Sequence, residues 1–183
     1  MEEKCPICGA TSKLQFLPYK IPYFGDAMMF IAVCPSCGHR STDVMLLSGD
    51  KESRRRRYEV EISSVDDLNI RVVRSSFGRI EIPELGVNVE PRRGEGFITT
   101  VEGVLKRVED AVRMLSRDVN DARKKHAEQV LMQIEDIKAG NASMKLIIDD
   151  PTGNSAIISK NKIKIINHKL HRLTQIDDKN QHG

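Results

Sequence analysis

The chain has 183 residues, 39% hydrophobic and 30% charged, a balance that suits a globular protein able to bury a sizeable core. A net charge of +3 and an aromatic content of 4% without Trp fall short of the basic footprint and ring platform of a dedicated nucleic-acid binder. The apolar run at residues 27–34 is far shorter than the about 20 residues a bilayer span needs, and the first residues carry no apolar stretch of signal-peptide length. These features point to a reducing, cytoplasmic setting, in which four cysteines read as a metal site rather than as disulfides.

Residues 1–48 read as a compact zinc module. Cys5-Pro6-Ile7-Cys8 and Cys34-Pro35-Ser36-Cys37 are two copies of one pattern, each followed by a glycine, Gly9 and Gly38. Zinc takes four soft ligands in a tetrahedron, and each Cys-x-x-Cys turn sets two thiolates on one side of the ion. Glycine accepts the dihedrals required where the chain bends around sulfur. Apolar stretches at 14–17 and 27–33, interrupted by Pro18, Pro22 and Gly25, read as a hairpin that brings the two turns together. Residues 41–47 read as a third strand. Four protein ligands leave no open coordination position, so one structural Zn2+ is expected. His39, beside the second turn, reads as a surface or supporting residue.

Residues 49–173 read as a second, β-sandwich-like domain. Period-two alternation at 58–62, 70–74, 79–82 and 87–89, with stops at Pro83 and Pro91, predicts short strands. A helical hairpin is inserted at about 99–140, where the period changes. Thr99 and Glu102 match a capping box, and Val101, Val104, Leu105, Val108, Val112 and Leu115 form one stripe. The second helix runs from about 119 to 139 with Ala122, His126, Val130, Ile134 and Ile137 on its seam, and Gly140-Asn141 stops it. Strand patterns return at 144–148, 155–159 and 163–166. Between the first two lies Asp150-Pro151-Thr152-Gly153-Asn154, which fits a type I turn. Residues 174–183 form a polar tail.

Several longer stretches narrow the choice among zinc-ribbon proteins. Ile82-Pro83-Glu84-Leu85 precedes Gly96-Phe97-Ile98-Thr99-Thr100-Val101-Glu102-Gly103, and Leu146-Ile147-Ile148-Asp149-Asp150-Pro151-Thr152-Gly153-Asn154-Ser155 follows the hairpin. With the ribbon and Cys37-Gly38-His39-Arg40-Ser41-Thr42, these resemble the ZPR-type zinc-finger family over about residues 5–158. The resemblance implies a four-cysteine ribbon followed by a double-stranded β-helix with an inserted antiparallel helical hairpin. Eukaryotic members carry two such modules in tandem. This chain has room for one and is similar to the archaeal form. The eukaryotic members bind translation elongation factor one-alpha and assist its folding, so the resemblance implies the equivalent elongation factor GTPase as partner here.

Other residues have more than one reading. Asp149 and Asp150 are either paired carboxylates or turn formers, and their neighbours favour the turn. The loop with Asp149, Asp150, Thr152 and Asn154 is a candidate partner contact. Arg54 to Arg57, and Arg55 and Arg56 in particular, either steer an acidic protein surface or form a solvated charge run. The same run motivates the rival reading, a nucleic-acid-binding or transcription-associated protein. Lys13, Tyr19 and Phe24 are candidate partner contacts on the ribbon, although packing over the zinc turns accounts for the two rings equally well, and the hairpin tip at 117–121 is a further candidate. A weaker reading places a metal-dependent enzyme site at His168 and His171. No nucleophile-base set is evident, and Gly94-Glu95-Gly96 lacks the Lys and Ser/Thr of a phosphate loop, so no enzyme is predicted.

Overall fold

The computed structural model describes residues 2–21, 25–47, 55–117 and 120–159, with the backbone of 163–167. Pro22, Phe24, Arg54, Asp118, Val119, His168, His171 and the predicted tail lie outside the described residues.

The N-terminal sheet is antiparallel, in the order β1 (Glu2–Lys4), β2 (Thr11–Ile21), β3 (Gly25–Val33) and β4 (Arg40–Leu46). The β2–β3 pairing runs from Lys13 opposite Val33 to Ile21 opposite Gly25, so the predicted hairpin is one long ladder that passes through Pro18. Both cysteine turns lie at the same end of this sheet. At the other end Ile21, Ala27 and Val44 are buried in the main hydrophobic core.

That core lies between two further sheets. The larger has β5 (Arg56–Ile62), β7 (Arg79–Ile82), β8 (Val87–Val89), β10 (Met144–Asp150) and β12 (Ile163–Asn167), in the spatial order β12-β5-β10-β7-β8. The smaller has β6 (Arg71–Arg74), β9 (Phe97–Thr100) and β11 (Ala156–Ile158), in the order β11-β6-β9. Alternating residues point inward: Tyr58, Val60 and Ile62 on β5, and Ile80 and Ile82 on β7, are all nearly inaccessible. The fold is a jelly roll, a mostly β architecture with two helices, as the sequence implied.

The helices are α1 (Val101–Leu115) and α2 (Asp121–Lys138). The start of α1 differs from the capping box expected of Thr99 and Glu102. Thr100 is the cap, and its side chain accepts from the Gly103 amide. Thr99 instead belongs to β9, opposite Val72, because pairing with β6 continues to Thr100. Its hydroxyl sits where a Cβ on residue 103 would be, which explains the glycine. The end of α2 is as expected: Gly140 has φ 77°, and the amides of Gly140 and Asn141 donate to Ile137 and Asp136.

Val101, Val104, Leu105 and Val108 pack with Val130, Ile134 and Ile137, as their spacing predicts. The predicted stripes are too long, however. Leu115 is 68% exposed, and Ala122 and His126 face solvent. The hairpin projects beyond the sheets there, so its outer turns have nothing to pack against. His126 is therefore a surface residue rather than a seam residue.

The two helices are tied by Glu109, which is nearly buried. Lys138 Nζ donates to its Oε2 at 2.7 Å, and Arg113 Nη2 to its Oε1 at 2.9 Å. The hydrogen bond from Lys138, and then that from Arg113, hold the Glu109 carboxyl down at about 2. A carboxylate lowered on folding stabilises the fold above its unfolded value of about 4.3, and this contribution is lost as pH falls through the folded value. Glu109→Gln is expected to lower the melting temperature at neutral pH. The gap to wild type should close between about pH 4.3 and pH 2, and a gap constant across that window would discount the ion cluster.

Candidate metal centre

The two cysteine turns are built alike. In the first, the Gly9 amide donates to Cys5 O at 2.9 Å and the Cys5 amide to Ala10 O at 2.8 Å. In the second, the Gly38 amide donates to Cys34 O at 3.0 Å and the Cys34 amide to His39 O at 2.8 Å. Gly9 and Gly38 share φ 73°, and nothing lies within 4 Å of where a Cβ would be at either. Backbone conformation rather than space therefore demands glycine at both places.

The turns bring four sulfur atoms together from the ends of β1, β2, β3 and β4. The Sγ atoms of Cys5, Cys8, Cys34 and Cys37 all lie within 4.8 Å of one another. Cys5 to Cys37 is 3.6 Å and Cys8 to Cys34 is 3.5 Å. A tetrahedron with zinc–sulfur bonds of about 2.3 Å has sulfurs about 3.8 Å apart, so the donor set fits one zinc ion. None of the cysteines is joined in a disulfide. Cys5 and Cys34 are buried, whereas Cys8 and Cys37 are exposed. His39 contributes its carbonyl to the turn and is not among the converging donors.

The electrostatics call for a cation. The Cys37 amide, more than any other influence, pulls the Cys34 thiol down to about 6. The His39 amide acts the same way on Cys37, but the hydrogen bond with the Cys8 sulfur, partial desolvation and the bonds with the Cys34 and Cys5 sulfurs outweigh it and push Cys37 up to about 12. One thiolate is welcome in the cluster, and a second beside it is opposed. A divalent ion resolves that conflict and makes all four sulfurs anionic.

The comparisons with known proteins agree with this geometry. The ZPR1 zinc-finger domain model matches residues 1–49, and the ZPR1 jelly-roll domain model matches residues 66–182. The chain belongs to the ZPR1 family. It is similar to a ZPR1-like protein of Pyrococcus horikoshii, with 40% identity over 87% of this chain and 73% of the relative. A ZPR1-like protein of Methanocaldococcus jannaschii is 39% identical over 85% of this chain and 79% of its own length. The zinc finger chaperone zpr1 of Schizosaccharomyces pombe is 28% identical over 82% of this chain. The matched region spans 34% of that protein, so the ZPR1-type module here corresponds to about a third of it.

The loop that follows β10 has a role the sequence did not disclose. The turn is present, with the Gly153 amide donating to Asp150 O at 3.2 Å. Asp149 and Asp150 point to opposite faces of the strand, as neighbours in a strand do. Asp149 pairs with Arg55 at 2.7 Å on the outer face. Asp150 is fully buried, so a partner contact cannot fall on its side chain. Its Oδ2 accepts from Ser75 Oγ at 2.7 Å and Ser155 Oγ at 2.6 Å. Its Oδ1 accepts from the Thr152 amide at 2.8 Å and the Thr152 hydroxyl at 2.7 Å.

This network reaches the ribbon. Thr152 Oγ1 accepts from Asn154 Nδ2 at 3.2 Å, and Asn154 Oδ1 accepts from the Leu46 amide of β4 at 3.3 Å. On the same strand, Asp43 Oδ1 accepts from the Ser76 amide at 2.8 Å. Thr42 exchanges backbone hydrogen bonds with Gly94 and Gly96. The Gly94-Glu95-Gly96 segment is thus a docking strip, for a Cβ at residue 96 would come within 2.8 Å of Asp43 Cα. Arg74, 2% exposed, fixes this strip by donating to the carbonyls of Gly78, Glu90 and Glu95. Sequence reasoning missed the roles of Ser75, Ser155, Asp43 and Arg74, because each depends on a partner that no local pattern specifies.

Arg55 and Arg57 lie over the larger sheet. Arg57 sits beside Glu59 at 3.0 Å and approaches Glu81 and Asp149 at 3.9 and 4.0 Å. Tyr19 is 38% exposed and pairs with Ala27, toward the end of the ribbon away from the cysteines, so it does not pack over the zinc turns.

Zinc binding in sites of this type contributes on the order of 10 kcal/mol to folding. Native mass spectrometry is expected to find one zinc in the wild type and none after Cys5, Cys8, Cys34 and Cys37 are all changed to Ser. Amide exchange should accelerate through β1–β4 in that variant and stay slow in β10. Identical exchange with and without metal would show that the ribbon is held by other means. Asp150→Ala leaves the buried hydroxyls of Ser75 and Ser155 and the half-buried amide and hydroxyl of Thr152 without their acceptor and should cost about 3–5 kcal/mol in urea unfolding. A loss below about 1 kcal/mol would contradict the network.

Proposed function

We propose that this chain is a zinc-dependent protein-binding factor that engages the elongation factor one-alpha type GTPase in the cytoplasm and assists its folding. Membership of the ZPR1 family, with a relative named a zinc finger chaperone, carries the reading. The eukaryotic relatives are named zinc finger proteins and, in Schizosaccharomyces pombe, a zinc finger chaperone. No helix among the described residues is long and apolar enough to cross a membrane.

The surface suits a binder of incompletely folded polypeptide. Phe16, Leu17 and Tyr19 on the ribbon and Met114, Leu115 and Met132 on the hairpin are large apolar side chains left in solvent. Methionine adapts to irregular surfaces, which favours a partner without a single fixed shape. The ribbon and jelly roll share a core and a hydrogen-bonded junction, so they present these groups on one framework. Arg55 and Asp149 lie on an accessible sheet face and are retained as candidate partner contacts. Thr152 and Asn154, half-buried in the junction, would act by holding that face in place. The nucleic-acid alternative is weakened by the carboxylates beside Arg55 and Arg57, which dilute the field of the arginine run.

Assistance requires that the factor bind one state of the GTPase more tightly than another, since equal affinity shifts no equilibrium. Immobilised protein is expected to capture the elongation factor in its nucleotide-free or partly unfolded form in preference to the GTP-bound form. Changing Leu115 and Met132 to Ser together should weaken that capture by about tenfold, with zinc content unchanged. Equal capture in every nucleotide state, or none, would end this reading.

A further inference from the structure

Strand β8 is the outer edge of the larger sheet, and no strand pairs with its far side among the described residues. That edge is open to a groove of about 880 Å3 running between the ribbon, β8 and α1. Val87, Val89, Val104, Val108 and Val112 give it an apolar lining. A second hollow of about 520 Å3 continues it along α1 and α2, with Gly86, Val87, Val112 and Leu115 shared between the two.

The charge of this groove is one-sided. Arg40 of the ribbon, Arg74 and Arg107 line the first part, and Glu95 is its one acidic residue. Glu95 is paired with Arg92 at 3.0 Å, and the donors of Arg74 are committed to backbone carbonyls. Arg40 and Arg107 are exposed and form no ion pair among the described residues. Arg107 rests over the Phe97 ring, 4.5 Å from its centroid, so its charge is held at the groove wall. Glu84 and Asp136 lie only at the opposite end, beyond the second hollow.

We propose that the groove takes an extended, acidic and apolar segment of a client polypeptide, which adds as a strand to β8. Unpaired backbone groups of an edge strand supply affinity that is indifferent to side-chain sequence. Alternate residues of an added strand point to opposite sides, so the apolar set enters the valine lining and the other set turns to the outer rim of the groove, where the exposed Arg40 and Arg107 stand. The acidic residues lie toward the ribbon, against Arg40 and Arg107, and away from Glu84 and Asp136. A three-residue edge is too short to recruit strands unaided, so the flanking groove and the two arginines decide what is accepted. The inference rests on the chaperone reading for its client and on the groove alone for the chemistry it selects.

The test uses the full zinc-loaded chain and three short fluorescent peptides: alternating Val and Asp, alternating Val and Lys, and the Val–Asp peptide N-methylated on alternate amides. Anisotropy should show binding of Val–Asp and about tenfold or weaker binding of both others. Changing Arg40 and Arg107 together to Glu should invert the preference toward Val–Lys, a gain that a misfolded variant could not produce. Equal binding of the N-methylated peptide, an unchanged charge preference in the double variant, or no peptide binding would each overturn the proposal. The two readings separate in the capture experiment. Wild-type chain that binds Val–Asp but captures no elongation factor removes the choice of client and leaves the groove. A double variant that captures the factor as well as wild type does removes the groove as its docking place and leaves the chaperone reading.

Discussion

Four sulfur atoms within 4.8 Å of one another are the constraint on which the N-terminal ribbon depends. Left as thiols they make poor hydrogen bonds, and as thiolates they repel. The sheet around them supplies little else to hold that end, for Cys8, Cys37 and the turn residues between the cysteines are exposed. The backbone nevertheless arranges both turns identically, with matching amide bonds and matching φ at Gly9 and Gly38. The protein thus prepares a site whose sulfurs become compatible when a divalent ion is bound.

Zinc order and jelly-roll order are connected through β4. One end of that strand leads out of the second cysteine turn, and its later residues meet the jelly roll at Thr42, Asp43 and Leu46. Behind these contacts stand two buried charged groups. Asp150 gathers Ser75, Thr152 and Ser155, and Arg74 gathers three carbonyls from the segments leading to the docking strip. Buried charges of this kind are tolerated only when their hydrogen-bonding capacity is met, and here each is met by local groups together with partners remote in sequence, Ser75 for Asp150 and Glu90 and Glu95 for Arg74. The ribbon is therefore not a tethered appendage, and its Ile21, Ala27 and Val44 complete the core that the jelly roll begins.

The surface left over by this construction carries its large apolar side chains mainly at two places. The ribbon hairpin and the outer turns of α1 and α2 carry large hydrophobic side chains where no internal surface is available to cover them. A binder of unfinished polypeptide needs such groups on a framework that does not itself collapse over them. The shared core, the junction and the Glu109 cluster between the helices supply that stiffness.

Much of this was legible in the sequence where physics acts locally. Doubled Cys-Pro-x-Cys-Gly turns announced the metal, because ligand spacing and the glycine dihedral are short-range demands. Period-two and period-3.6 patterns located most strands and both helices, because burial of one face repeats along an element. The Gly140 stop and the turn at Pro151 were equally local. What failed was whatever depends on a neighbour remote in sequence. Thr99 went to a strand because β6 was there to pair with it, and Leu115 and His126 stayed in solvent because the sheets ended before reaching them. Asp150 and Asn154 look like exposed turn residues until Ser75 and Leu46 are brought to them from elsewhere in the chain. The sequence by itself determined the zinc turns and the succession of elements. Only tertiary structure decided which polar groups are buried, which apolar ones are left outside and which sheet edge stays open, since those depend on what the folded chain sets beside them.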